Sequence, residues 1–146
     1  MTTATGFKTS RATEHDRVVG LVASALNQRG YLSRELEPDG DNPDLRIVDY
    51  NGRTAFVDVK TTYAKQKNWT LKIGALTTYF QLTLAGTPVY IVWADHPATV
   101  DVVFTLQRRI VGGPHRPTGN GSLTDWLLVE PGGEPFDKFF PPKRAA

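Results

Sequence analysis

Three residues could do chemistry together: Asp44, which follows Pro43, and the acid and base of the run Asp58-Val59-Lys60. Side chains alternate along an extended strand, so Asp58 and Lys60 share a face with Phe56 while Val57 and Val59 take the opposite one. Two carboxylates, completed by main-chain and water oxygens, suit a hard divalent cation such as Mg²⁺ or Mn²⁺, whose remaining positions take phosphate oxygens. Such a cation neutralises the phosphate and lowers the pKa of an attacking water, and an adjacent lysine orients that water or stabilises the developing negative charge. The chemistry implied is hydrolysis of a phosphodiester. The plainer reading is a same-face ion pair between Asp58 and Lys60, with Asp44 merely ending a strand.

Whether Asp44 joins the pair depends on strand register, because a slip of one residue moves every side chain to the other face. Two strands are predicted, Leu45 to Asp49 and Thr54 to Thr61, joined around Asn51-Gly52. A two-residue loop would set Leu45 against Asp58 and Arg46 against Val57, mixing apolar with charged positions. A three-residue loop Tyr50-Asn51-Gly52, with Gly52 in a left-handed bulge, pairs Leu45 with Val57 and Ile47 with Ala55. Apolar matching selects the second register, which sets Asp44 opposite Asp58.

The surrounding elements must hold that hairpin. Thr13 reads as the cap of a first helix, followed by Glu14 and Asp16 where the helix dipole favours acids. Val18, Leu21, Val22, Ala25 and Leu26 then recur at helical spacing until Gly30. Glu14, Val18, Leu21 or Val22, and Ala25 form one stripe, which extends the buried face through Glu14. Tyr31 to Glu37 reads as a strand, Pro38 to Pro43 as a turn, and Trp69 to Ile73 as a short strand or extended arm. Ala75 to Ala85 is a second helix closed by Gly86, and Pro88 to Ala94 is an apolar run typical of a strand buried on both faces. The order is helix, three strands, helix, strand. Further on, Val100 to Thr105 is expected as a strand, Gly112 to Gly121 as a flexible loop, and Leu123 to Glu130 as a strand or helical turn.

Composition narrows the remaining possibilities. The 146 residues, 40% of them apolar, have room for one folded domain, expected over 13–130 with its core in 13–95, a flexible stretch at 1–12 and a tail at 131–146. With no cysteine, thiolate zinc sites and thiol nucleophiles are excluded. No apolar run reaches the roughly 18 residues of a membrane span, so a soluble, cytoplasmic protein without membrane contact is expected. His15, His96 and His115 lack zinc spacing and read as surface or locally bonded residues. The net charge is only +2, but acids crowd 35–49 while Lys60, Lys65, Lys67 and Lys72 crowd the next stretch. Lys65, Lys67 and Lys72 are therefore candidates for phosphate contacts with nucleic acid. Phe136, Phe139 and Phe140 have the spacing of sliding-clamp-binding peptides, although Gly133 stands where that motif wants Gln. A contact of this segment with its own domain or with a second copy is the competing expectation.

Pro43-Asp44, then Asp58-x-Lys60 fourteen residues later, within the order αβββαβ, resembles the PD-(D/E)xK nuclease superfamily, including archaeal-type Holliday junction resolvases and small restriction-endonuclease-like domains. The resemblance spans Thr13 to about Asp95. It implies an α/β, restriction-endonuclease-like αβββαβ core, a mixed central sheet flanked by helices, here with a C-terminal extension. It further implies an Mg²⁺- or Mn²⁺-dependent endonuclease cutting branched or duplex DNA, and a homodimer. Asp44 and Asp58 would be metal ligands and Lys60 the catalytic lysine, with Glu14 matching a helix-one glutamate that many members add to the metal site. Tyr79 and Gln81 lie on the helix where some members place an auxiliary polar residue. A catalytically silent nucleic-acid-binding module of the same fold, or a nuclease acting on RNA or free DNA ends, is the alternative.

Overall fold

The computed structural model describes residues 10–37, 41–61, 69–94, 99–115 and 126–143. Helix α1 (Ser10–Gln28) leads into strands β1 (Leu32–Glu35), β2 (Leu45–Val48), β3 (Thr54–Thr61) and β4 (Trp69–Lys72). Helix α2 (Ile73–Leu84) precedes β5 (Val89–Ala94) and β6 (Thr99–Val102). A short helix α3 (Val103–Leu106), a 3₁₀ turn, β7 (Ile110–His115), β8 (Trp126–Val129), β9 (Glu134–Pro135) and helix α4 (Phe136–Phe139) complete the chain. The main sheet has the order β1-β2-β3-β5-β6-β9, and β4-β8-β7 form a second, smaller one. Only β3 and β5 pair in parallel in the main sheet, so it is mixed.

The β2–β3 hairpin has the register that apolar matching selects: Leu45 pairs with Val57 and Ile47 with Ala55. Its loop is Tyr50-Asn51-Gly52. The Gly52 N–H donates to the Asp49 carbonyl at 2.9 Å, and Asp49 Oδ1 accepts from the N–H groups of Asn51 and Arg53, both at 2.8 Å. Gly52 has φ +81°, a conformation that a β-branched residue would strain to adopt.

Each face of the sheet is covered by its own apolar layer. On one side Val18, Val19, Val22 and Leu26 of α1 pack on Leu45, Ile47, Val57 and Val59. On the other, Ala75, Leu76 and Tyr79 of α2 pack with Val89, Ile91 and Trp93 of β5. Strand β5 feeds both layers, which is why its sequence is almost continuously apolar. Trp69 of β4 stacks on Trp93 with ring centroids 4.4 Å apart, fastening the small sheet to the α2 side.

Several boundaries differ from expectation. Helix α1 begins at Ser10, so Thr13 is inside the helix rather than capping it. It closes where expected, with the Tyr31 and Gly30 N–H groups donating to the Leu26 and Asn27 carbonyls. Val100 to Thr105 is divided between β6 and α3, and the Gly-rich stretch expected as loop contributes β7 up to His115. Leu123 to Glu130 supplies β8 from Trp126 onward. The expected tail is part of the folded body: β9 extends the main sheet, Phe140 is buried in the α1 layer, and Phe136 and Phe139 pack against that layer. The aromatic segment is thereby engaged by its own domain, which contradicts a peptide free for a sliding clamp.

Candidate active site

Asp44 stands one residue before β2, where the Leu45–Val57 register places it across from Asp58. Its Oδ2 accepts the Val59 N–H at 2.8 Å, and its side chain lies beside that of Asp58. Lys60, two residues along β3 on the same face as Asp58, brings Nζ to 3.2 Å from Asp58 Oδ2. The two acids and the lysine identified in the sequence therefore meet.

Asp58 is 3% exposed, and Oδ2 has no hydrogen bond despite the nearby ammonium. Burial pushes its carboxyl up to about 6; Lys60 works against that shift and Asp44 adds to it. For Asp44, burial acts upward as well, but His15, Asp58 and the Val59 N–H outweigh it and hold the group below its ordinary value. The two neighbouring carboxyls are thus shifted in opposite directions by their surroundings.

Two residues outside the expected metal and catalytic set complete the surroundings. Tyr79, fully buried on α2, brings its hydroxyl near Asp58; burial first, and then the Asp58 charge, push that hydroxyl far above the ordinary tyrosine value. His15 of α1 places Nε2 3.0 Å from the Val59 carbonyl oxygen and 3.4 Å from Asp44 Oδ2. The hydrogen bond with Asp44 raises its pKa, against the effect of burial.

Glu14 does not join this group in the structure. Arg17 Nε donates to Glu14 Oε2 at 3.0 Å and a second guanidinium nitrogen binds Oε1, so the acid is held along the outer side of α1. The difference is one of helical phase. The buried stripe is Val18, Val19, Val22 and Leu26, whereas Leu21, included in the expected stripe, is 56% exposed. Extended toward the N-terminus, the true stripe passes through His15. Weighting Val19 and Leu26 over Leu21 would have found it.

Lys72, a candidate phosphate contact, brings Nζ to 3.0 Å from Asp41 Oδ1. A Cβ at Gly74 would lie 3.1 Å from both Asp41 carboxylate oxygens, so glycine permits this carboxylate to sit against the start of α2. Lys65 and Lys67 lie outside the described residues. Gln81 is exposed and does not join the acid pair.

Among the described residues no three His, Asp or Glu side chains form a group spaced to hold a metal. The donor chemistry nevertheless fits a divalent cation: an anionic carboxylate beside a buried carboxyl oxygen without a hydrogen bond, next to the main-chain oxygen of Val59. Among those residues, too, no helix is long and apolar enough to cross a membrane.

No protein-family description matches the chain, and no curated protein matches it. Among solved structures it is similar to Archaeoglobus fulgidus Hjc, a Holliday junction resolvase from an archaeal hyperthermophile. The TM-score is 0.54 at 14% sequence identity, covering 81% of this chain and 87% of that one. The fold is thus restriction-endonuclease-like, with a mixed central sheet between helices.

Proposed function

We propose that this chain is a divalent-metal-dependent endonuclease hydrolysing DNA phosphodiester bonds, with branched or duplex DNA as substrate. The observation that carries this reading is the placement of Asp44, Asp58 and Lys60 together at one end of the β2–β3 hairpin, in a fold like that of a resolvase. Asp44 and Asp58 would hold the cation, and Mg²⁺ or Mn²⁺ would supply an acidified water and charge neutralisation at the phosphate. Tyr79 holds its hydroxyl near the Asp58 carboxyl. Lys60 points its ammonium at the same carboxyl and, with substrate present, would stabilise charge developing on the phosphate. A homodimer presenting two such sites would suit paired cuts in a branched substrate.

A catalytically silent nucleic-acid-binding module is the second reading, favoured by the position of Glu14, which is engaged by Arg17 rather than by the acid pair. Purified protein incubated with supercoiled, linear, single-stranded and four-way-junction DNA, and with RNA, should cleave a DNA substrate only when Mg²⁺ or Mn²⁺ is added. Binding without cleavage in either metal would establish the silent module, and metal-dependent cleavage restricted to RNA would replace the substrate.

A further inference from the structure

Helix α2 begins without a cap of its own. Lys72 occupies the N-cap position and its side chain makes no capping hydrogen bond, since an ammonium has no acceptor to offer. No acid follows in the first turn, where the helix dipole would favour one. The leading N–H groups of a helix have no partners within it and attract an anion. Here the anion arrives from a distant part of the chain. Asp41 Oδ1 lies 3.0 Å from Lys72 Nζ, and both carboxylate oxygens lie 3.1 Å from the position that a Cβ on Gly74 would take.

Two features separate this arrangement from an ordinary ion pair. Glycine is a poor residue for the start of a helix, and here its lack of a side chain leaves a cradle that any Cβ would fill. The fit of Asp41 in that cradle is also incomplete: Oδ1 is shielded from solvent yet accepts no hydrogen bond, despite the nearby ammonium. The Asp41 side chain is 48% exposed, so it has room to turn outward. Its charge reaches Tyr79, as do those of Asp58 and Asp44, so the cradle and the acid pair flank the same tyrosine.

We infer that Lys72, Gly74 and the start of α2 form the seat of a backbone phosphate of bound nucleic acid, which Asp41 occupies as an internal stand-in until that phosphate displaces it. This rests on the nucleic-acid reading above and adds a contact beside the acid pair. The exchange is like for like. A phosphodiester has a single negative charge and a pair of non-bridging oxygens, as a carboxylate does, so Lys72 stays paired and the helix start keeps an anion. Asp41 thereby weakens every strand alike, and only a strand held by further contacts keeps the seat.

Amide nuclear magnetic resonance of the full chain, without added metal, reads the seat at Gly74 and Ala75. The probes are inorganic phosphate and short duplex DNA with and without terminal phosphates. Duplex lacking terminal phosphates should shift both amides, and in Asp41→Asn the shift should reach half-saturation at a several-fold lower concentration. Gly74→Ala should abolish the response at Ala75 while duplex still binds, more weakly, by fluorescence anisotropy. Duplex binding that leaves both amides unmoved overturns the seat and leaves the nucleic-acid reading standing. A response confined to inorganic phosphate or to phosphorylated ends overturns the backbone assignment. Unchanged affinity in Asp41→Asn makes Asp41 a permanent cap and overturns its role as stand-in. Absence of any nucleic-acid binding removes the nuclease reading and this inference together. The titration of the unaltered protein decides the seat even if a variant folds poorly.

Discussion

Asp58 and Asp101 are both buried, both on the main sheet, and both paired with Ile91 of β5 from opposite sides, yet they are treated in opposite ways. Asp101 is bound by the guanidinium of Arg109, which also ties the Glu130 carbonyl and so fastens β6 to the segment after β8. A planar guanidinium with several donors fixes that acid in place. Asp58 receives a lysine with one ammonium, a second carboxylate and a tyrosine hydroxyl, and one of its oxygens lacks a hydrogen bond. Where only structure is required, the fold supplies a geometric match to the carboxylate. At Asp58, where the proposed cation would come and go, it leaves a buried acid under-partnered at a cost in stability.

The largest effects should fall on chemistry. Asp44→Asn should abolish metal-dependent cleavage. Lys60→Ala should reduce turnover by about a hundredfold or more while DNA affinity changes only a few-fold, because one lost phosphate contact affects binding modestly. Equal losses in binding and turnover, measured by fluorescence anisotropy and single-turnover cleavage, would place Lys60 with the merely electrostatic residues.

At the other aspartate the loss should be one of stability. Arg109→Ala leaves a buried charge unpaired and frees the Glu130 carbonyl, so denaturant unfolding should show destabilisation of about 3 kcal/mol. Cleavage per folded molecule should be unchanged, and a selective loss of cleavage would erase the contrast between the two acids.

Tyr79→Phe should sharpen it. The hydroxyl lowers the pKa of Asp58, so its removal raises that pKa further. The acid limb of the cleavage profile should then move to higher pH, with turnover at neutral pH down about tenfold. An unmoved limb would show that Asp58 ionisation does not control the rate. The smallest effect is expected at Asp41→Asn, which releases Lys72: nucleic-acid affinity should rise a few-fold, and the salt dependence should steepen by up to about one counterion. An unchanged slope would mean that Lys72 makes no phosphate contact.

Much of this was legible in the sequence where one pattern had a single good solution. Alternating apolar residues around Asn51-Gly52 fixed the hairpin register, and with it the meeting of Asp44 and Asp58, because the competing register buried charge against apolar side chains. Helix α1 was legible as an element but not in phase: its apolar residues allow two stripes about 100° apart, and only packing against β3 decides that His15, not Glu14, faces inward. Tyr79 was named only through the resemblance, alongside Gln81, since its approach to Asp58 depends on how α2 crosses the sheet. Packing of the C-terminal aromatic segment on its own domain was among the expectations, but its place was not legible, as nothing local says that Phe140 lies beside Tyr31 and Tyr90.

The central claim, that Asp58 is held at a cost to stability for the sake of its chemistry, is tested most directly by Asp58→Asn, with cleavage measured in Mg²⁺ or Mn²⁺ and thermal unfolding measured across pH without added metal. The native pKa of Asp58, about 6, lies above that of the unfolded chain. Its burial is therefore least costly at low pH, where it is protonated in both states, and stability is lost as pH rises toward and through the native value. The neutral amide escapes that loss. The account predicts no cleavage, a melting temperature like the parent's near pH 4, and above pH 7 a gain equivalent to about 3 kcal/mol. Retained metal-dependent cleavage, or a variant less stable than the parent at neutral pH, would contradict it.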